Sequence, residues 1–154
     1  VLSGQRAAVE QVVAVLEAEL FVEALEIEPR IPMHSPVVGR IGERFRKIVD
    51  QAPIVAPRLA YVTNALGTVI DGATAAHVRQ CLVDQTFLPV RWYDCVDSIA
   101  SRVDDPYFVE VGPRGALYHL FGRGWMPGRR ARTDVVDGWS THLRQIVDAL
   151  RARA

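Results

Sequence analysis

A chain of 154 residues, 49% hydrophobic and 23% charged, is long enough for one domain with a real core and too apolar to be disordered. Lys+Arg and Asp+Glu both total 18, so no overall field recommends nucleic acid or an anionic membrane as a partner. No apolar run approaches the roughly 18 residues that read as a membrane span, and Val1-Leu2-Ser3-Gly4 has neither the basic start nor the apolar region of a signal peptide.

The chain opens without methionine on what reads as the end of a strand, as a piece of a longer polypeptide would. Val9, Val12, Val13 and Leu16 recur at helical spacing and predict an amphipathic helix over residues 6–19. Glu23 to Glu28 reads as a strand, with Leu25 and Ile27 on one face and Glu26 and Glu28 on the other. Pro29 ends it, because the residue before proline is driven out of helical geometry.

Ile31-Pro32-Met33-His34-Ser35-Pro36 follows. Ser35 is placed as a helix N-cap, its hydroxyl accepting from the first turn, with Pro36 at the first helical position. His34 then sits beside the positive end of a helix, which disfavours imidazolium and suits a neutral ring able to take a proton from a nucleophile. A surface or packing histidine that merely precedes a helix is the plainer reading of these six residues. Val38, Ile41, Phe45, Ile48 and Val49 mark the helix itself over about 36–50. Gly39 and Gly42 weaken it by roughly 1 kcal/mol each against alanine, a cost that close packing would explain.

A proline-bearing loop, 51–58, leads to a strand at Leu59 to Thr63, a turn at Asn64-Ala65-Leu66-Gly67 and a short return strand at 68–70. Asp71 or Thr74 caps a helix reaching about Gln85, with Val78, Cys81 and Leu82 inward. Phe87-Leu88-Pro89 breaks it, and another helix over about 90–102 turns Trp92, Cys95, Val96 and Ile99 inward. Cys81 and Cys95 therefore read as buried free thiols in a reducing, cytoplasmic compartment. Tyr107 to Val111 is nearly all apolar and suits a strand of a parallel sheet, ending in Gly112-Pro113 before a helix begun by Leu117, Leu120 and Phe121. Gly122 to Arg132 reads as a linker, and a last helix over about 137–151 carries Trp139, Leu143, Ile146, Val147 and Leu150, with Asp137 as its cap.

Other chemistry-bearing residues read as structural. His77 and Cys81, four apart, lack a second pair nearby, so no metal site is expected. His119 and His142 read as surface or boundary residues. Arg123, Arg129, Arg130 and Arg132, near Trp125, form a basic patch whose plainer reading is a solvated linker, the alternative being a surface that meets acidic or phosphate groups.

Four stretches, in order, resemble the C-terminal half of the malonyl-CoA:acyl carrier protein transacylase family, which includes the acyltransferase domains of polyketide and fatty acid synthases. They are Met33-His34-Ser35-Pro36; Ala56-Pro57 with Tyr61-Val62-Thr63-Asn64-Ala65-Leu66-Gly67; Leu82-Val83-Asp84-Gln85 with Pro89-Val90-Arg91-Trp92; and Phe108-Val109-Glu110-Val111-Gly112-Pro113. Residues 137–151 also resemble the helix that follows such domains in polyketide synthases. The resemblance implies an α/β fold: the C-terminal part of an α/β-hydrolase-like acyltransferase core, with part of an inserted ferredoxin-like subdomain. Residues 1–29 would belong to that subdomain, 30–124 to the core, and 125–154 to a linker and C-terminal helix.

It further implies a ping-pong transfer in which a serine takes an acyl group from acyl-CoA and passes it to the phosphopantetheine thiol of an acyl carrier protein. His34 matches the family's general base, and Gln85 matches the residue whose backbone carbonyl orients it. The tetrapeptide associated with acyl choice is Ile31-Pro32-Met33-His34, which places Ile31 and Met33 beside the acyl pocket. Its form leaves the acyl group open, with malonyl the family default. No Gly-x-Ser-x-Gly surrounds Ser3, Ser35, Ser98, Ser101 or Ser140, so the serine-bearing half is expected from outside these residues, together with any neighbouring synthase domains. A non-catalytic module docking a carrier or neighbouring domain, and an acyl hydrolase, remain alternatives.

Overall fold

The computed structural model describes residues 1–112, 115–121, 129–133 and 139–152, and of Phe121 and residues 139–143 the backbone alone. It divides into two compact units, Val1–Cys95 and Val96–Ala154.

In the first unit, α1 (Arg6–Leu20) ends at Phe21, whose left-handed φ of 52° breaks the helix. Val9, Val13 and Leu16 of α1 are half-buried and Val12 is exposed. The segment 21–30 is not a strand: Leu25 and Ile27 are 86% and 76% exposed and pair with nothing among the described residues. Its alternation is strand-like, but a lone extended segment has no neighbour to complete its hydrogen bonds. Side chains hold it instead. Arg6 Nη2 donates to Glu26 Oε1 (3.0 Å) and to the Pro29 carbonyl (3.1 Å). Arg30 donates to Glu28 from its amide (2.9 Å) and its Nε (3.2 Å), which holds the Glu28 carboxyl below the usual carboxylate range. Nor do Val1 and Leu2 form the end of a strand.

A 3-10 turn at Pro36–Val38, with Pro36 in its first position, runs into α2 (Gly39–Gln51). Val38, Gly42 and Val49 are buried, whereas Ile41 and Ile48 are exposed, so only part of the predicted apolar stripe faces inward. The glycines separate cleanly. A Cβ on Gly42 would lie 2.8 Å from Phe87 Cδ1, so this glycine does admit a neighbour, while one on Gly39 would meet nothing within 4 Å.

The strand expected at 59–63 is shorter: β1 (Tyr61–Val62) pairs antiparallel with β2 (Val69–Ile70), Tyr61 opposite Ile70. Gly67 closes the turn between them at φ 71°, its amide donating to the Thr63 carbonyl (2.9 Å). Thr74, not Asp71, caps α3 (Ala75–Asp84). The His77 amide donates to Thr74 Oγ1, and the Thr74 amide donates to His77 Nδ1, each at 3.2 Å. His77 is thus the other half of a capping box. α4 (Trp92–Ala100) docks its start onto the turn: the Arg91 amide donates to the Asn64 carbonyl (2.8 Å) and Cys95 Sγ to the Thr63 carbonyl (3.4 Å). Both cysteines are free and buried.

In the second unit, β3 (Tyr107–Glu110) pairs in parallel with β4 (Arg129–Arg132). Parallel pairing agrees with the sequence reading, but β3 is only half-buried and Val111 is 82% exposed. The end of the expected linker is β4 itself. Its arginines lie along aromatic rings, Arg130 4.5 Å from the Tyr118 centroid and Arg129 5.5 Å from that of Tyr107. The Glu110 carboxylate accepts from the Leu117 and Tyr118 amides and so caps the short α5 (Ala116–Phe121). In α6 (Trp139–Arg151), Ile146 is buried, while Val147 and Leu150 are exposed. Pro113, Arg123, Trp125 and the Asp137 cap lie outside the described residues, as do the side chains of Trp139, His142 and Leu143. No helix among the described residues is long and apolar enough to cross a membrane.

Candidate active site

The turn 31–35 has no regular structure, and hydrogen bonds from three parts of the chain define it. The Met33 amide donates to the Ile31 carbonyl (2.8 Å), and the Ser35 hydroxyl donates to the Pro32 carbonyl (2.7 Å). Ser35 is 2% exposed, so this bond satisfies a hydroxyl that water cannot reach. The expected N-cap is therefore corrected in one respect. Ser35 does occupy the N-cap position of the 3-10 turn, but its hydroxyl points back along the chain and accepts from no first-turn amide.

His34 stands at φ 60°, in the left-handed region that costs a non-glycine residue energy. Its amide donates to the Thr86 carbonyl at 3.2 Å, which joins the turn to the residues just after α3. Gln85 caps α3, its amide donating to the Cys81 carbonyl (3.0 Å). Residues 34 and 86, 52 positions apart in sequence, are thus adjacent. The ring is less settled than its backbone. His34 is half-buried, and its Nδ1 is fully buried with no hydrogen-bond partner among the described residues. The expected bond to the Gln85 carbonyl is therefore not formed here; the main-chain amide of His34 is what reaches this segment, and it takes residue 86. Ile31 and Met33 flank the turn with exposed side chains. Among the described residues no cluster of His, Cys, Asp or Glu is arranged to hold a metal ion. His77 is committed to its cap, and the exposed His119 lies 3.0 Å from Arg132 Nη1.

Sequence reasoning missed Thr86 and Ser3. Thr86 was one residue from the expected carbonyl. Ser3 lies outside every matched motif, yet its hydroxyl donates to the Met33 carbonyl at 2.5 Å.

The geometry, a half-buried imidazole on a left-handed turn in a mixed α/β arrangement, names no reaction by itself, and comparison with known proteins supplies what it resembles. Sequence and fold resemble part of the domain shared by malonyl-CoA:acyl carrier protein transacylases and polyketide synthases. The chain is 30% identical over 127 residues to the malonyl-CoA:acyl carrier protein transacylase of Salmonella typhimurium, covering 80% of this chain and 39% of that enzyme. It is 31% identical over 84 residues to the polyketide synthase GfsB of Streptomyces halstedii, covering 54% of this chain and 2% of the synthase. The crystal structure of the Xanthomonas oryzae transacylase superposes with a TM-score of 0.78 at 26% identity, over 95% of this chain and 44% of that one. The chain spans about two fifths of the length of the curated transacylases it matches. No protein-family profile matches it.

Proposed function

We propose that this chain supplies the histidine-bearing part of an acyltransferase that moves an acyl group, malonyl by default, from coenzyme A to the phosphopantetheine thiol of an acyl carrier protein. The observation that carries this reading is the position of His34. It sits on a left-handed turn, its amide bonded beside Gln85, with a buried ring nitrogen awaiting an acceptor. In the proposed reaction the His34 ring takes the proton of a serine hydroxyl as that oxygen attacks the acyl-CoA thioester. It then returns the proton to the departing CoA thiolate. In the second half it takes the proton of the carrier thiol, whose sulfur attacks the ester carbonyl, and gives that proton to the serine oxygen as the ester bond breaks. The Gln85 carbonyl is the proposed acceptor for Nδ1–H, since it lies one residue before the Thr86 carbonyl that the His34 amide already reaches. Ile31 and Met33 would line the acyl pocket. No other bound cofactor is invoked.

The serine would come from outside these residues, since no Gly-x-Ser-x-Gly occurs in them. The exposed Phe21, Leu25 and Ile27 support residues 1–29 as part of a ferredoxin-like lobe whose strands would come from outside these residues. Residues 30–124 would then be the C-terminal part of the α/β-hydrolase-like core, and 125–154 a linker and helix, with neighbouring synthase domains as further partners.

In the complete acyltransferase, His34→Ala should slow transfer from labelled malonyl-CoA to a holo carrier protein by about a hundredfold to ten-thousandfold, the range of general-base catalysis. Undiminished transfer would remove His34 from the mechanism. Free malonate released faster than the carrier is loaded would point to hydrolysis instead.

A further inference from the structure

We propose that Ser3 is a positioning residue for His34: its hydroxyl, reaching in from the segment before α1, holds the Met33 carbonyl and so fixes the turn from which the imidazole projects. The inference rests on the acyltransferase reading above and adds to it a residue outside the matched motifs.

Three consecutive carbonyls of the turn each have their own donor. That of Ile31 takes the Met33 amide, that of Pro32 the Ser35 hydroxyl, and that of Met33 the Ser3 hydroxyl at 2.5 Å. The Met33 carbonyl and the His34 amide belong to one planar peptide group. Ser3 therefore holds one end of that plane while the Thr86 carbonyl, at 3.2 Å, holds the other. Gripping both ends sets the plane's orientation and with it the rotation about the N–Cα bond of His34. That rotation stands at φ 60°, a value the surroundings must impose on a residue with a Cβ. The two grips come from 30 residues before Met33 and 52 residues after His34, so neither is a local property of the turn. Ser3 is exposed and lies before the start of α1 at Arg6.

Two measurements test this separately from the acyltransferase reading. In this chain, amide hydrogen exchange of His34 should quicken about tenfold in Ser3→Ala, the factor that one net hydrogen bond supplies. Ser3→Thr, which keeps the hydroxyl, should restore the slow rate, and the Cys95 amide in α4 should not respond. In the complete enzyme, Ser3→Ala should lower kcat about tenfold while KM for acyl-CoA changes less than about twofold, as expected when a group acts only on the step it positions. Ser3→Thr should recover kcat, and Ser101→Ala should leave both constants unchanged. Unchanged His34 exchange in Ser3→Ala, or failure of threonine to restore it, overturns the proposal. Full activity in His34→Ala would sink the acyltransferase reading while leaving the exchange result to stand.

Discussion

Gly42→Ala, set beside Gly39→Ala, weighs helix propensity against close packing on a single helix. Either change should gain up to about 1 kcal/mol, because alanine gives up less backbone freedom than glycine in a helix. At Gly39 nothing stands within 4 Å of the added carbon, so that gain is the whole effect and the variant should be more stable than the parent. At Gly42 the carbon would fall 2.8 Å from Phe87 Cδ1, 2.9 Å from Cε1 and 3.2 Å from Thr86 Oγ1. Contacts between carbons are best at about 3.5–4.0 Å. Phe87 must therefore move, and overpacking of this kind costs about 1–3 kcal/mol. Gly42→Ala should then be destabilised by roughly 0–2 kcal/mol, and should lie about 1–3 kcal/mol below Gly39→Ala. Urea denaturation followed by circular dichroism reads the difference as a midpoint lower by roughly 1 M, taking a small-domain slope of a few kcal/mol per molar. Because Thr86 also carries the carbonyl that receives the His34 amide, exchange of that amide should quicken in Gly42→Ala and not in Gly39→Ala. Equal stability of the two variants would refute the packing described for α2 against residues 86 and 87.

Thr74→Ala should cost about 1 kcal/mol, since it opens the capping box at the start of α3, and Thr74→Ser should recover most of the loss; paired urea midpoints check both. Stability should also fall at alkaline pH. Burial pushes the Cys95 thiol above its usual 9.0, with the Asp94 carboxylate adding to the shift, and burial pushes the Tyr61 phenol above its usual 10.0, with Cys81 adding. Each group ionises in the unfolded chain before it does in the folded one, so the stability tied to it is complete below the ordinary value and is lost as pH rises through the raised one. Under reducing conditions the denaturation midpoint should therefore hold through neutrality and drop above about pH 9, less steeply in Cys95→Ser. A midpoint that stays level there would contradict the burial of both groups.

Features that depend on a few adjacent residues were legible in the sequence. The fixed φ of proline suits the first position of a helical turn, and Pro36, following Ser35, takes it. The helices over 75–84 and 92–100 announce themselves by apolar spacing, and the turn at 64–67 by a glycine that can stand at positive φ. Even there the direction of a bond was not readable. A serine hydroxyl both donates and accepts, and at Ser35 burial beside the Pro32 carbonyl decides the matter. Strands were less legible, because a strand exists only by virtue of its neighbour. Leu25 and Ile27 carry the right alternation and find no partner, while Arg129 to Arg132 carry no apolar pattern and become β4 because β3 lies alongside.

The candidate site divides along the same line. Ser35 and Pro36 made the place of His34 before a helical turn legible, while its candidate role came only from the resemblance carried by residues 33–36. What holds His34 could not be read, since Ser3 and Thr86 meet it only after the chain has folded. That division has a mechanical consequence. A left-handed residue fixed from two distant points keeps its geometry only while both points stay in place, so loosening either end of the Met33–His34 peptide should release the ring even with every residue from 31 to 36 intact. The conformation of this histidine is thus a property of the folded unit, and substitutions at residues 3, 42 and 86 should disturb it without touching the motif that identifies it.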